Sequence, residues 1–458
     1  MDKISLLQMR KQQLSDAGKD IRKDINSLID EGSFVELSTF SFSKNEFYGE
    51  EAQGEGVVTG FATLSDYPFY IIAQNAEVLS GGVSKANCEK IEKCLNQAEK
   101  ASTPVIWLLS SLGVQLGEGI SVLEGLATLI LKASQLKGTV PQYLIVNGEV
   151  YGQISVLAGI CDFTYFIDKK SALAATSPLV ISAHDGKSVS KFDLGGACGL
   201  KNANLATFTV NELSDVKKSI IELTEILSVP VIDSDELNVS LPELDKVVDV
   251  KSLEKVFDKD TAIELGASYS PELKCYLARV GGIAVAAAVF ADGNGVELTA
   301  NSVRKLKDFA EFASCYGLPY VTFVNSLGIK ADLATNNSLV LKEIAEYVSI
   351  LDCIDAAKIS VIYGKAVGLG YTLFAAKSMG YDYSYAFANA KIALFDSVQG
   401  AEIEYSADKK ADKEKLAAKY AEENSDPINA ARGGYIDNII QPSFVKQYLI
   451  ASLQMLLK

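Results

Sequence analysis

The chain has one histidine in 458 residues, His184, set in a polar "SAHDGKS" stretch. A Ser-His-Asp or Cys-His mechanism, or a histidine-rich metal centre, would have to run through that one side chain. Its setting reads as a solvated loop, so side-chain acid–base chemistry by histidine is set aside and no metal site is expected. Cysteine is present without a pattern: Cys88, Cys94, Cys161, Cys198, Cys275, Cys315 and Cys353 include no CxxC pair. An odd number without a framework reads as reduced, mostly buried thiols. Basic residues are in deficit, 43 Lys and Arg against 58 Asp and Glu, for a net charge of −15. That excludes a nucleic-acid surface, which needs clustered cations. No GxxxxGK[ST] occurs, and no glycine fingerprint has a good strand–helix context. Long apolar runs are missing too. "GGIAVAAAVFA" is too short to span a bilayer and reads as a buried strand. The opening "MDKISLLQMRKQQLSDAGKDIRKDI" is charged and helical, without a signal-peptide core, so a cytoplasmic protein is expected.

What is present is ordinary in bulk and unusual in arrangement. Forty-eight per cent hydrophobic and 22% charged residues suit a globular chain, and the length calls for two or three domains. The sequence repeats itself. "LIDEGSFVEL" (Leu28–Leu37) answers "VFDKDTAIEL" (Val256–Leu265), and "GFATLSDYPFYIIAQNAEV" (Gly60–Val78) answers "YLARVGGIAVAAAVFADGN" (Tyr276–Asn294). "KIEKCLNQAEKASTPVIWLLSSLG" (Lys90–Gly113) answers "KLKDFAEFASCYGLPYVTFVNSLG" (Lys305–Gly328). Second glycine loops follow in each half, "YLIVNGEVYGQ" (Tyr143–Gln153) and "ISVIYGKAVGLG" (Ile359–Gly370). Two similar domains are expected, over 1–240 and 256–458, joined near the polar stretch Leu237–Lys255.

Each half alternates short apolar runs with amphipathic segments. Ile91, Cys94, Leu95 and Ala98 fall at helical spacing. "VIWLL", "YLIVN" and "FTYFI" suit strands covered on both faces, and together these patterns make an α/β fold. A strand that ends in a glycine turn and enters a helix presents unsatisfied N–H groups with partial positive charge. Two such turns facing one point would form an oxyanion hole, which needs no titratable side chain. Glycine after a strand is also common turn punctuation. Its pairing and its duplication favour the functional reading.

These segments resemble the carboxyltransferase subunits of biotin-dependent acyl-CoA carboxylases and decarboxylases over nearly the whole chain. The resemblance rests on "LIDEGSFVEL", "GEGVVTGF" (Gly54–Phe61), "AQNAEVLSGG" (Ala73–Gly82), "LLSSLGVQLGEG", "VPQYLIVNGEVYGQ", "LGGACG" (Leu194–Gly199) and "DPINAARGGYIDNIIQPS" (Asp426–Ser443). "YAFANAKIALFDSVQGAE" (Tyr385–Glu402) looks like the methylmalonyl-CoA decarboxylase alpha type. The resemblance implies two duplicated crotonase-like (ββα) superhelix domains. It also implies a homo-oligomer, a dimer or trimer of dimers, with the active site between the first domain of one chain and the second of another. A CoA thioester of the malonyl or methylmalonyl kind would lie on the first domain. Biotin would lie on the second, carried by a separate carrier protein because no Met-Lys-Met segment is present. Biotin carboxylase or a membrane decarboxylase subunit would be further partners, and membrane association would come only through such a partner. The thioester oxygen would meet the amides of Gly152 and Gln153, near Gly113 and Val114. The biotin ureido oxygen would meet those of Leu369 and Gly370, near Gly328 and Ile329. Thr372 would line the acyl pocket.

The sequence departs from the family pattern at several of these places. The first turn, usually Asp-Ser-Gly-Gly-Ala-Arg, is Ser110-Ser-Leu-Gly-Val-Gln115, and its partner, usually Asp-Thr-Pro-Gly-Phe, is Asn325-Ser-Leu-Gly-Ile329. Gln153 and Leu369 stand where glycines are usual. An N-terminal arginine is replaced by Asp24 beside Arg22 and Lys23, and Cys198-Gly199-Leu200 replaces a usual histidine. Backbone chemistry survives such changes. A diverged, non-catalytic scaffolding or regulatory subunit stays open as the alternative. So does a hydratase or isomerase of the same fold using Glu118 and Glu149, although one domain would suffice for that chemistry.

Overall fold

The computed structural model describes residues 2–457 apart from 42–43, 46–49, 52, 198–203, 235, 237, 247 and 406–411. The departure at Cys198–Leu200 lies outside the described residues. The chain divides into two compact units, Met1–Glu222 and Leu223–Lys458. Residues 223–240, which the sequence reading gives to the first domain, fall in the second unit together with the joining stretch. There the Arg279 guanidinium donates to Glu225 O (3.0 Å) and Val229 O (2.6 Å), and Ala284 N–H donates to Pro230 O (2.8 Å).

Each unit contains a mixed sheet of the same order. In the first, strands Val35–Leu37, Val57–Leu64 and Tyr67–Gln74 pair antiparallel. Val105–Ser111, Gln142–Tyr151, Phe163–Ile167 and Phe208–Val210 then add in parallel. In the second, Ile263–Leu265, Leu273–Val280 and Ile283–Phe290 are antiparallel. Tyr320–Ile329, Lys358–Val367, Tyr383–Phe387 and Asn438–Ile440 follow in parallel. A short strand adds beside the long one in each, Ala172–Ala174 and Lys391–Ala393. These are the duplicated α/β units that the repeats call for.

The repeated residues do repeated work. Both hairpins turn through two left-handed residues, Ser65–Asp66 and Gly281–Gly282, the geometry that matches strand twist. Asp30 accepts from the N–H groups of Ser65 (3.0 Å) and Asp66 (3.1 Å), and Asp258 from those of Gly281 (2.9 Å) and Gly282 (2.6 Å). These two carboxylates are the matched aspartates of "LIDEG" and "VFDKD". Helix Lys85–Ala101 buries Ile91, Cys94, Leu95 and Ala98, as their spacing predicts, behind an N-cap at Ser84. Its counterpart Ala300–Cys315 starts from a Thr299–Ser302 capping box. Each helix hides a lysine. Lys90 Nζ donates to Gly54 O (2.9 Å) and Val57 O (2.7 Å), and Lys305 Nζ to Tyr269 O (2.6 Å) and Leu273 O (2.7 Å). The ammonium heads close the backbone at the hairpin's edge, where a buried unpaired carbonyl would otherwise cost stability.

Burial sets the alkaline limit of this fold. It pushes the thiols of Cys88, Cys94 and Cys275 up to about 12, and Cys161, Tyr165, Tyr320 and Tyr347 well above their usual ranges. The folded chain therefore keeps protons that the unfolded chain surrenders at about pH 8.5–10. More protons bound in the native state means that stability falls as pH rises through that window. Burial of Lys90, whose ammonium falls to about 8, and of Lys305 opposes this with fewer groups. Melting temperature under reducing conditions is expected to drop steadily between pH 8 and 10.5. A flat or rising profile would contradict the assignment.

Candidate active site

The glycine turns stand at matching places in the two sheets. In the first unit, strand Val105–Ser111 runs out through Leu112 into Gly113, at φ 127°. Val83 bridges this turn: its N–H donates to Gly113 O (2.9 Å), and its carbonyl accepts from Gln115 N–H (2.9 Å). That alternation turns the Val114 N–H away from Val83, and no described residue accepts from it. Strand Gln142–Tyr151 ends at Gly152, with φ 78° and ψ −156°. Gly152 N–H donates to Ala174 O (3.2 Å), and Ser155 N–H returns to Gly152 O (3.0 Å). The amides between them, Gln153 and Ile154, are the first two of a helical turn and find no acceptor among the described residues. The two turns are close, since a Cβ on Gly152 would stand 3.9 Å from Gly113 Cα.

The second unit repeats the main bonds of this arrangement. Ser111 Oγ accepts from Gly113 N–H at 3.3 Å, and Ser326 Oγ from Gly328 N–H at 3.1 Å. Lys330 N–H donates to Leu298 O (2.9 Å), as Gln115 does to Val83, which gives Ile329 the place of Val114. Gly368, at φ 51° and ψ −121°, donates to Ala393 O (3.0 Å) and accepts from Tyr371 N–H (3.1 Å). Between them stand the amides of Leu369 and Gly370, at the head of helix Leu369–Phe374. A Cβ on Gly328 would lie 3.8 Å from the Leu369 nitrogen.

This equivalence corrects one expected donor. Gly152 matches Gly368, not Leu369, and its amide is committed to Ala174 O. Its part is conformational: only glycine readily takes its dihedrals, and they turn the following amides out of the sheet. Gln153, Val114 and Gly113 are brought together with it in the first unit, and Leu369, Gly370, Gly328 and Ile329 in the second. Gln153 and Leu369 are both exposed, so the side chains that replace glycine do not fill the interior. Leu369 and Thr372 line an open cavity of about 620 Å³ with Leu394, Phe395, Asn429 and Tyr435. Tyr371 Oη ties this wall together through a 3.0 Å bond to Tyr435 O. Ser111, Ser326, Ala174 and Ala393 escaped the sequence reading. The 215- and 216-residue repeat spacings carried the signal, because they align Ser111 with Ser326 and Gly152 with Gly368.

The side chains considered for other chemistry are occupied elsewhere. Glu118 accepts from Lys85 N–H (2.6 Å) at the head of helix Lys85–Ala101. Glu149 accepts from Lys191 Nζ (2.7 Å) and Tyr151 Oη (3.0 Å). Burial pushes Glu149 up, but the Lys191 and Tyr151 hydrogen bonds and the Lys191 charge outweigh it and leave it below the usual range. A hydratase acid needs the opposite shift. His184 ends helix Pro178–Asp185 rather than sitting in a loop; its side chain is 87% exposed against Asp185. Arg22 is locked by Glu36 (2.8 Å) and by the carbonyls of Leu14 and Gly18, while Asp24 accepts from Asn147 (2.7 Å). Among the described residues, no cluster of His, Cys, Asp or Glu could hold a metal ion.

With this geometry in place, comparison with known proteins is decisive for the family. Residues 13–458 match the carboxyl transferase domain. The chain belongs to the carboxyl transferase domain family. It is similar to the mitochondrial propionyl-CoA carboxylase beta chain of Rattus norvegicus, with 27% identity over 95% of this chain and 84% of that one. Methylmalonyl-CoA decarboxylase subunit alpha of Veillonella parvula is also 27% identical, over 95% and 89%. Among solved structures, transcarboxylase 12S, described as a hexamer with methylmalonyl-coenzyme A and methylmalonic acid bound, superposes with a TM-score of 0.91. Its identity is 23% over 99% of this chain and 95% of that one, and the likeness shows that the two share their fold.

Proposed function

We propose that this family member is the carboxyltransferase component of a biotin-dependent complex. It moves a carboxyl group between a malonyl- or methylmalonyl-type CoA thioester and biotin borne on a separate carrier protein. The observation that carries this reading is the duplicated pair of turns, each leaving amide donors without an acceptor. In the first unit the donors are Val114 and Gln153, with Ile154 behind them. They favour negative charge on the thioester oxygen as the bond between Cα and the carboxyl group breaks. In the second unit Ile329, Leu369 and Gly370 offer the same device to a ureido oxygen, beside a cavity large enough for a bicyclic ring. Biotin, when bound, supplies a ureido nitrogen that takes up the carboxyl group and releases its proton to the thioester carbon. The chain supplies fixed dipoles and no titrating group, consistent with one exposed histidine. Thr372, on the cavity wall, bears on the size of the group admitted.

The wider setting follows from the same reading. The two donor sets call for a thioester-binding domain and a biotin-binding domain, and for a homo-oligomer working with a biotin carrier and with biotin carboxylase or a membrane decarboxylase subunit. No helix of the described residues is long and apolar enough to cross a membrane. The reading places the protein in the cytoplasm, with any membrane contact made through a partner.

The test is to incubate the protein with methylmalonyl-CoA or malonyl-CoA and free biotin, and to follow loss of the carboxylated thioester. Biotin-dependent loss is expected, and the better ester names the acyl class. No turnover with either ester, together with no binding of CoA thioesters, would favour a scaffolding subunit instead.

A further inference from the structure

The second unit has another cavity, of about 580 Å³, that shares no lining residue with the one beside Leu369. Three lysines reach its wall from three elements: Lys251 from helix Val250–Leu253, Lys365 from strand Lys358–Val367, and Lys391 from strand Lys391–Ala393. Lys365 and Lys391 are register partners on adjacent parallel strands. Like charges placed directly opposite each other destabilise a sheet. Asp396 offsets part of this, at 3.5 Å from Lys365. No described carboxylate lies within ion-pair distance of Lys391 or Lys251, although the Lys251 charge helps, after the Ser252 hydrogen bonds, to hold Asp249 below its usual range. The matching pair in the first unit is Glu149 and Ala172, so the duplication itself does not require two lysines there. A concentrated positive wall in a chain of net charge −15 runs against the field of the whole molecule.

We propose that this cavity is a binding site for a phosphate ester of nucleotide size. An anion seated between Lys365 and Lys391 relieves their repulsion, and Lys251 closes on it from the third side. Lysine suits this task as a compact point charge. The volume falls within the range of small-molecule sites and exceeds what one phosphate fills. Tyr363, Val248 and Val250 offer an apolar wall for the body of the ester. Asp249, the one lining carboxylate, is turned to the helix start, where it accepts from Ser252 N–H at 2.8 Å. This site stands apart from the carboxyl-transfer reading and does not depend on it.

The test is calorimetric titration of the full chain with ADP and with inorganic pyrophosphate, at low and at moderate salt. Saturable binding is expected, weakened by salt as ion pairing requires. Lys391→Glu is expected to weaken ADP binding about tenfold or more, because it inverts one of three charges on the ligand. Lys391→Ala, which keeps the strand and removes only the charge, is expected to weaken it several-fold. Circular dichroism confirms that each variant is folded. Absence of binding at millimolar ADP and pyrophosphate would overturn the proposal. So would binding that both Lys391 variants leave unchanged, since the anion would then sit elsewhere, the thioester loop included.

Discussion

Gly152→Val lowers the rate of carboxyl transfer by about 10²-fold or more, with the rest of the fold intact. The size follows from what the loss of one oxyanion donor typically costs, on the order of 10²–10³. The cause is conformational and not a clash: the space beside Gly152 is open, with only Gly113 Cα at 3.9 Å. Its backbone, at φ 78° and ψ −156°, lies in a region that residues with a Cβ avoid. Valine forces the turn to relax, and the Gln153 and Ile154 amides swing with it. Gly152→Ala should act in the same direction, because any Cβ brings the strain. Gly370→Val reaches a similar loss by a different route. Its Cβ would meet Ser326 Cβ and Oγ at 2.8 Å and Ser326 O at 3.2 Å, so the second turn must open. Initial rates of biotin-dependent methylmalonyl-CoA loss, set beside melting curves, check both. A Gly152→Val enzyme of near-normal rate would remove the first turn from the mechanism.

Asp258→Ala destabilises the second unit by about 3 kcal/mol, the cost typical of breaking a buried ion pair. Three bonds are lost together: the N–H groups of Gly281 (2.9 Å) and Gly282 (2.6 Å), and the Lys446 ammonium (2.9 Å). Lys446 is 1% exposed and keeps Glu236 as its other carboxylate, so the charge is left half-compensated. In the first unit Asp30 accepts from the Ser65 and Asp66 amides and is also held by Thr63 and the Lys217 charge, but no described ammonium stands within ion-pair distance of it as Lys446 does of Asp258. Asp30→Ala should therefore cost about 1–2 kcal/mol, the usual penalty for lost hydrogen bonds. For a unit of this size the first change lowers the melting temperature by about 6–12 °C, and the second by a smaller amount, about 2–8 °C. Differential scanning calorimetry of the two variants decides the order, and equal shifts would contradict it.

How far the sequence discloses the fold depends on how local each interaction is. The matched "LIDEG" and "VFDKD" segments are legible because one aspartate in each does one local job, holding a hairpin turn. Helix Lys85–Ala101 is legible because its buried stripe repeats every turn. The glycine turns are visible as a duplicated pair, but which amide points outward is not. That depends on Ala174 and Ala393, short-strand residues whose carbonyls capture the Gly152 and Gly368 amides. Small apolar residues carry no sign of such a task. The buried lysines are equally hidden, because nothing around Lys90 or Lys305 in the sequence marks the strand edges that they close. The facing of Lys365 and Lys391 is a matter of register between strands more than twenty residues apart, which spacing alone does not give.

The division of labour between the turns is tested most directly by ligand-observed saturation-transfer NMR. Wild type, Gly152→Val and Gly370→Val would each be mixed with methylmalonyl-CoA and with free biotin. Two turns that hold two different carbonyls require separate losses. The acyl signal of methylmalonyl-CoA should fall in Gly152→Val and persist in Gly370→Val. The biotin signal should do the reverse. Loss of both ligands in either variant alone, or of neither ligand in both, would contradict a duplicated oxyanion hole with one copy for each substrate.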